Sequence, residues 1–334
     1  MKIVIRAPNW VGDSVLALPA VESVRRAFPD AQLWIAAQEW VKDLFILNGL
    51  TEGVVSLSPS KDLKTLKTSA QSLKGHNFDI GLLLTNSFGS ALLFYLARIP
   101  KRWGYAADGR SLLLTSRIPV DNGDNPRHHV HYYLDLLSGL GLETRPPVLR
   151  LSVPPSEKGA AQERLASLGL DLTRPLVILS PGASYGPAKR WPAARFAQLA
   201  AVFQNQRDAE ILIIGSAGEA EIAATITSGM DRQPVVLTGQ TTLTQLLGLI
   251  SQAALVISND TGPMHLANAL GVPVVGIFGP TDPAVTGPFE QPSRAVKKYV
   301  PCWPCYYRKC PYDHRCMMTI ETADVLGAAE ALWR

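Results

Sequence analysis

Compact apolar runs alternate along the chain with polar turns and with stretches of helical spacing. Residues 2–6, 32–36, 54–57 and 79–84 are runs of the first kind, with a weaker one at 102–105. Between and after them, residues 15–27, 39–47, 63–73, 90–97 and 129–140 place apolar side chains at helical intervals. The stretch from Arg145-Pro146-Pro147 to Val153-Pro154-Pro155 is expected to be extended, because proline fixes φ and forbids helix. Residues 156–168 read as a helix, and the alternation then restarts. Strands are predicted at 176–180, 210–214, 235–237, 253–257 and 272–278, and helices at 192–206, 218–228, 243–251 and from Thr261 onward. Residues 321–333 form a last amphipathic helix. Strands alternating with helices predict an α/β fold with mostly parallel sheets covered on both faces. The restart near 150–172 predicts two Rossmann-like domains, 1–155 and 172–318.

At 334 residues the chain accommodates two ordinary domains. It is 47% hydrophobic and 18% charged, which excludes a disordered chain. No apolar run approaches the ~18 residues of a membrane span, and the start lacks a signal peptide's apolar core, so a cytoplasmic location is expected. The net charge of +4 comes from residues 1–155, with 17 basic against 13 acidic residues. That excess is too mild for a nucleic-acid binder but suits a phosphorylated or carboxylated partner. Part of it lies in residues 98–131, where Arg98, Lys101, Arg102, Arg110, Arg117, Arg127, His128, His129 and His131 face Asp108, Asp121 and Asp124. Such a run is a solvated face, or a surface for an anionic acceptor or membrane.

The chemistry concentrates in turns at predicted strand ends, where open α/β sheets bind ligands. Ser258-Asn259-Asp260-Thr261-Gly262-Pro263-Met264-His265 leads from a strand into a helix whose first N–H groups attract an anion, while Asp260 can accept from hydroxyls. His265 lies one turn further on and is either a ligand residue or a structural histidine. Ala7-Pro8-Asn9-Trp10-Val11-Gly12-Asp13 occupies the place of a dinucleotide-binding loop but lacks its glycine pattern, which argues against NAD or FAD. Asp13 is a general base or merely a first-turn acid. Ser180 to Pro192 is a glycine- and hydroxyl-rich loop ending in Lys189-Arg190, either a phosphate cradle or a surface turn. Glu219 and Glu221 stand where an acid could take ribose hydroxyls or simply begin a helix. Thr241 and Leu243 lie on a turn able to line a base pocket. Gly279-Pro280-Thr281-Asp282-Pro283 is a turn whose acid could only cap it. Cys302, Cys305, Cys310 and Cys316 fall within fifteen residues, with His314 among them. Reduced structural thiols, a zinc clip and redox pairing all remain open, as the spacing matches no standard zinc module.

Taken together, Pro8-Asn9-Trp10-Val11-Gly12-Asp13, Ala188-Lys189-Arg190-Trp191-Pro192, Asn259 to His265 and Gly279 to Pro283 resemble the ADP-heptose:lipopolysaccharide heptosyltransferases. The resemblance covers essentially the whole chain in order. The Tyr185-Gly186-Pro187-Ala188-Lys189 loop and the cysteine-rich tail are more similar to the heptosyltransferase II branch than to I. It implies a GT-B fold, two Rossmann-like domains facing a central cleft, with residues 320–334 crossing back onto the first domain. It implies an inverting enzyme that moves L-glycero-D-manno-heptose from ADP-heptose to O3 of the first inner-core heptose of lipopolysaccharide, at the inner face of the inner membrane, with no cofactor. A different core acceptor, or nucleotide-sugar binding without catalysis, are the alternatives. By the same resemblance Asp13 is the catalytic base and Lys189 holds the diphosphate. Ser184, Glu219, Thr241, Asp260, Thr261, Gly262 and His265 bind the donor, and a heptosyl-Kdo₂-lipid A is the acceptor.

Overall fold

The protein is described from a computed structural model covering residues 1–59, 62–120 and 127–333. Asp121, Asp124 and Arg334 therefore lie outside the described residues. The chain divides into two units, Met1–Leu149 and Arg150–Arg334.

In the first unit the order is β1 (Lys2–Arg6), α1 (Val11–Leu16), α2 (Leu18–Ala27), β2 (Gln32–Gln38), α3 (Lys42–Asn48), β3 (Gly53–Leu57), α4 (Leu63–Gly75), β4 (Ile80–Leu83), α5 (Phe88–Leu96), β5 (Lys101–Tyr105), β6 (Ser116–Ile118) and α6 (His129–Gly139). Its six strands lie in the order β3-β2-β1-β4-β5-β6, all parallel. The first helix differs from expectation: it starts four residues earlier, at Val11, and breaks at Ala17. Pro19, which has no N–H, sits in the first turn of α2, where that loss costs nothing.

The second unit runs α7 (Pro155–Ser167), β7 (Leu176–Ser180), α8 (Ala193–Arg207), β8 (Glu210–Ile213), α9 (Ala220–Ser228), β9 (Val235–Val236), α10 (Leu243–Ile250), β10 (Leu255–Asn259), α11 (Gly262–Ala269), β11 (Val274–Phe278), α12 (Pro283–Thr286), β12 (Ser293–Lys297), α13 (Arg315–Met318) and α14 (Thr322–Glu330). Its strand order is β12-β11-β10-β7-β8-β9, again all parallel. Counted from each unit's own first strand, the two sheets share one order. In each, the order reverses between the first and fourth strands: β1 and β4, then β7 and β10. That reversal opens a crevice at the strands' carboxyl ends, where such sheets bind ligands.

Two expectations about organisation change. Helix α7 belongs to the second unit and packs on α10. The final helix, expected to return to the first domain, packs instead on α8, β11 and β12, and Val325, Ala329 and Leu332 are buried in the second unit's core with Phe196 and Phe203. Its short apolar stripe finds Phe203 and the sheet face of its own unit, and the tilted Trp333 ring lies 5.1 Å from that of Phe203.

Candidate active site

In the first unit, the turns after β1 and β4 enclose a recess of about 460 Å³. Pro8, Asn9, Trp10 and Asp13 form one side, Thr85, Asn86 and Ser87 another, and His129, Tyr132 and Tyr133 of α6 a third. Asp13 lies in the first turn of α1, with its side chain about one-third exposed. Its Oδ1 is 3.8 Å from His129 Nδ1. The loop carrying it is fixed: Ser14 Oγ–H donates to Pro8 O at 3.1 Å, and Trp40 Nε1–H to Asn9 O at 2.7 Å.

Behind the recess stand two buried arginines. Arg6 donates to Asn9 Oδ1 at 2.5 Å and to the carbonyls of Ala7 and Ala36. Arg110 donates to Asn86 Oδ1 at 3.3 Å, to Ser90 Oγ at 3.2 Å, to Tyr105 O at 2.9 Å and to Thr85 O. Among the described residues neither forms an ion pair, and burial lowers each guanidinium to about 10. Both remain charged at neutral pH, so the back wall is positive and presents asparagines in fixed orientations. Asn86 in turn donates from Nδ2 to Tyr132 Oη at 2.5 Å. Tyr133 is held well above its ordinary pKa, first by burial and then by the negative charge of Asp13, so it stays a hydroxyl.

The second unit's crevice lies between the turns after β7 and β10. Lys189 Nζ pairs with Asp260 Oδ2, and both are buried. Thr281 Oγ1–H donates to the same oxygen at 2.6 Å, and the Tyr185 ring lies 4.8 Å from the ammonium. Asn259 locks the two turns together: its Nδ2 donates to Pro181 O at 2.7 Å, and its Oδ1 accepts from Trp191 N–H at 3.2 Å. Trp191 is itself a core anchor, fully buried against Phe196 and donating from Nε1 to Ile320 O. Thr261 precedes α11 in extended geometry, and α11 starts at Gly262 with Pro263 in its first turn. The Thr261 side chain makes no cap, so it leaves the first N–H groups of α11 without a capping acceptor from that residue.

The model of glycosyltransferase family 9 (heptosyltransferase) matches residues 67–315. The chain belongs to this family. It is 30% identical over 311 residues to the lipooligosaccharide heptosyltransferase 2 of Haemophilus ducreyi, covering 89% of this chain and 88% of the relative. It is 29% identical over 317 residues to the lipopolysaccharide heptosyltransferase 2 of Escherichia coli, again at 89% and 88%. Among solved structures it is similar to the ADP-heptose lipopolysaccharide heptosyltransferase II of E. coli, with a TM-score of 0.86 at 26% identity, over 99% of this chain and 98% of that one. The two parallel-sheet units of this family 9 glycosyltransferase are the GT-B architecture.

Sequence reasoning placed the donor candidates with mixed outcome. Lys189 and Asp260 come together; Asp260 Oδ2 takes both the lysine and the Thr281 hydroxyl. Glu219 is buried and completes a capping box with Ser216, whose N–H donates to its Oε2 at 2.7 Å. The same carboxyl packs on the Gly182 turn: a Cβ built on Gly182 would overlap it, and one on Gly215 would stand 2.8 Å from Oε2. Glu221, two residues on, is exposed. Gly182→Ala in this family 9 glycosyltransferase is therefore expected to lower stability by about 1–3 kcal/mol through overpacking. Chemical denaturation checks it, and an unchanged midpoint would show that Glu219 moves aside freely. His265 is buried within α11. Ser184 is exposed on the β7–α8 turn and Thr241 half-buried on the β9–α10 turn; neither hydrogen-bonds to the Lys189–Asp260 pair. Asp282 caps α12, accepting from Ala284 N–H at 2.9 Å.

The four cysteines are free thiols, and among the described residues no group of three or more His, Cys, Asp or Glu could hold a metal ion. Burial pushes the Cys316 thiol up to about 11. The segment around them braces the lysine loop: Tyr185 Oη–H donates to Tyr306 O at 2.6 Å, Ala188 N–H to Arg308 O at 3.1 Å, and His314 Nε2 lies 2.7 Å from Ala188 O. Asn86, Tyr132 and Tyr133 were not singled out from the sequence, and Asn9 and Thr281 stood there only as members of their motifs. The signal for Asn86 is the polar run Thr85-Asn86-Ser87 directly after a buried strand.

Proposed function

We infer that this chain transfers L-glycero-D-manno-heptose from ADP-heptose to O3 of the first inner-core heptose of lipopolysaccharide, with inversion. One observation carries the reading: two identically ordered sheets have chemically distinct crevices. The first offers a partly exposed carboxylate above a positively backed, amide- and hydroxyl-lined recess. The second offers a buried lysine beside a helix N-terminus, which suits a diphosphate. The names of the H. ducreyi and E. coli relatives agree with it.

In this reading residues 1–149 take the acceptor and residues 150–334 the donor. Asp13 removes the acceptor hydroxyl proton as that oxygen bonds to the anomeric carbon. The bond from that carbon to the diphosphate oxygen breaks, and its electron pair leaves with ADP. Lys189 and the N–H groups of Thr261 and Gly262 stabilise the charge growing on the leaving group, the kind of preorganised term that is usually largest. Asp260 and Thr281 hold the lysine in place. Ser184, Glu219, Thr241 and His265 complete the donor side, and no cofactor is required. The sequence carries no Asp-x-Asp pair of the kind that binds a metal diphosphate.

The acceptor is tested by incubating the enzyme with ADP-heptose and either monoheptosyl Kdo₂-lipid A or heptose-free Kdo₂-lipid A. Transfer to the monoheptosyl form alone is expected. Transfer only to the heptose-free form would move the assignment to the preceding step, and ADP-heptose binding without transfer to either would replace catalysis by sugar-nucleotide binding.

A further inference from the structure

Helix α5 is apolar on every side. Ser90, Ala91, Leu93 and Phe94 are buried in the first unit and Leu92 packs against its core, whereas Phe88, Tyr95 and Leu96 lie exposed on the opposite stripe. A helix without a polar face is normally covered on both sides. The stripe continues onto the adjoining 3-10 turn Arg110–Leu113, which packs against α5 and carries Leu112 at 92% exposure. Arg102 ties these parts together, donating to Leu113 O and Ile99 O at 2.6 Å each while lying 5.5 Å from the Tyr95 ring centre.

We propose that this ridge docks the enzyme onto an anionic phospholipid surface. Charge selects the occupant. Residues 62–108 contain six basic residues, Lys64, Lys67, Lys74, Arg98, Lys101 and Arg102, against three acids, Asp62, Asp79 and Asp108. The lysines lie on α4, which packs beside α5, and the others follow the C-terminal end of α5. An apolar, aromatic-bearing ridge inside a basic collar fits the headgroup region of an anionic leaflet. A second copy of the chain, packed face to face, would set the same collar against itself. Position agrees with charge: Ser87, which lines the Asp13 recess, also caps α5, and Asp108 accepts from Phe88 N–H at 2.7 Å. The ridge thus begins where the recess ends, and a lipid-linked acceptor lying in the same leaflet reaches Asp13 without leaving it. At nine residues α5 is about 13 Å long, so it lies on the surface rather than spanning it.

The proposal rests on the acceptor being lipid-linked, and its test separates the two. Sedimentation with phosphatidylglycerol-rich vesicles is compared with sedimentation with phosphatidylcholine vesicles, for the native chain and for Tyr95→Asp/Leu112→Asp. The native chain is expected to bind the anionic vesicles, less so at high salt, and the variant to bind at least about tenfold more weakly. Its thermal midpoint and its turnover of a de-acylated acceptor are expected to stay native. Equal binding of native and variant chains, equal binding to both vesicle types, or a native dimer that the variant splits into monomers would each overturn the docking surface. Loss of the functional reading would show separately, as no heptosyl transfer to the de-acylated acceptor in the absence of vesicles.

Discussion

Asp13→Asn lowers kcat by at least about 100-fold while ADP-heptose affinity stays within about twofold. The carboxamide keeps the shape and the hydrogen-bonding reach of the side chain but cannot take a proton at neutral pH. Its surroundings are already fixed without it: Ser14, Trp40 and Arg6 hold the loop through other atoms. A change of fold is therefore not expected, and an unaltered thermal midpoint serves as the control. The rival role for Asp13 is that of an acid in the first turn of α1, favoured by the helix dipole. That role predicts a small loss of stability and native turnover. Steady-state kinetics with ADP binding measured by calorimetry decides between them, and a kcat within a few-fold of native would remove Asp13 as the base.

Lys189→Met should weaken ADP binding by roughly 10- to 100-fold, the effect of losing a charge-assisted hydrogen bond to phosphate. It should also destabilise the fold, because Asp260 would be left as a buried carboxylate with only Thr281 donating to it; breaking such a pair costs about 3–5 kcal/mol. The two effects separate in Lys189→Met/Asp260→Asn. Removing both charges should restore most of the stability, since neither partner is then buried unpaired. ADP affinity should remain low, because nothing replaces the ammonium. Recovery of ADP affinity in the double variant would make the lysine a structural residue.

Most of the strand–helix alternation was legible because both sheets are parallel and buried, so their inner strands read as short apolar runs. The elements that escaped are those lacking that signature. Strands β6 and β12 lie at sheet edges, and Ser116–Ile118 and Ser293–Lys297 mix polar with apolar residues because only part of each is covered. In the site, the turns after β1, β7 and β10 announced themselves by glycine, hydroxyl and charge. Pairing was not legible: nothing in sequence spacing tells that Asp260, 71 residues from Lys189, is its counter-ion. The arginines behind the recess were hidden for a similar reason. Arg110 reads as one charge in a basic run, yet it is fully buried and orients Asn86. The expected return of the last helix to the first domain came from the resemblance alone, because amphipathicity shows that one side is covered, not which neighbour covers it.

That last helix is part of the second unit's core. Val325, Ala329 and Leu332 wall in Phe203, and Arg207 reaches across to Glu330. Removing residues 322–333 would therefore uncover the core of the second unit, so this one short helix is part of what lets that unit close.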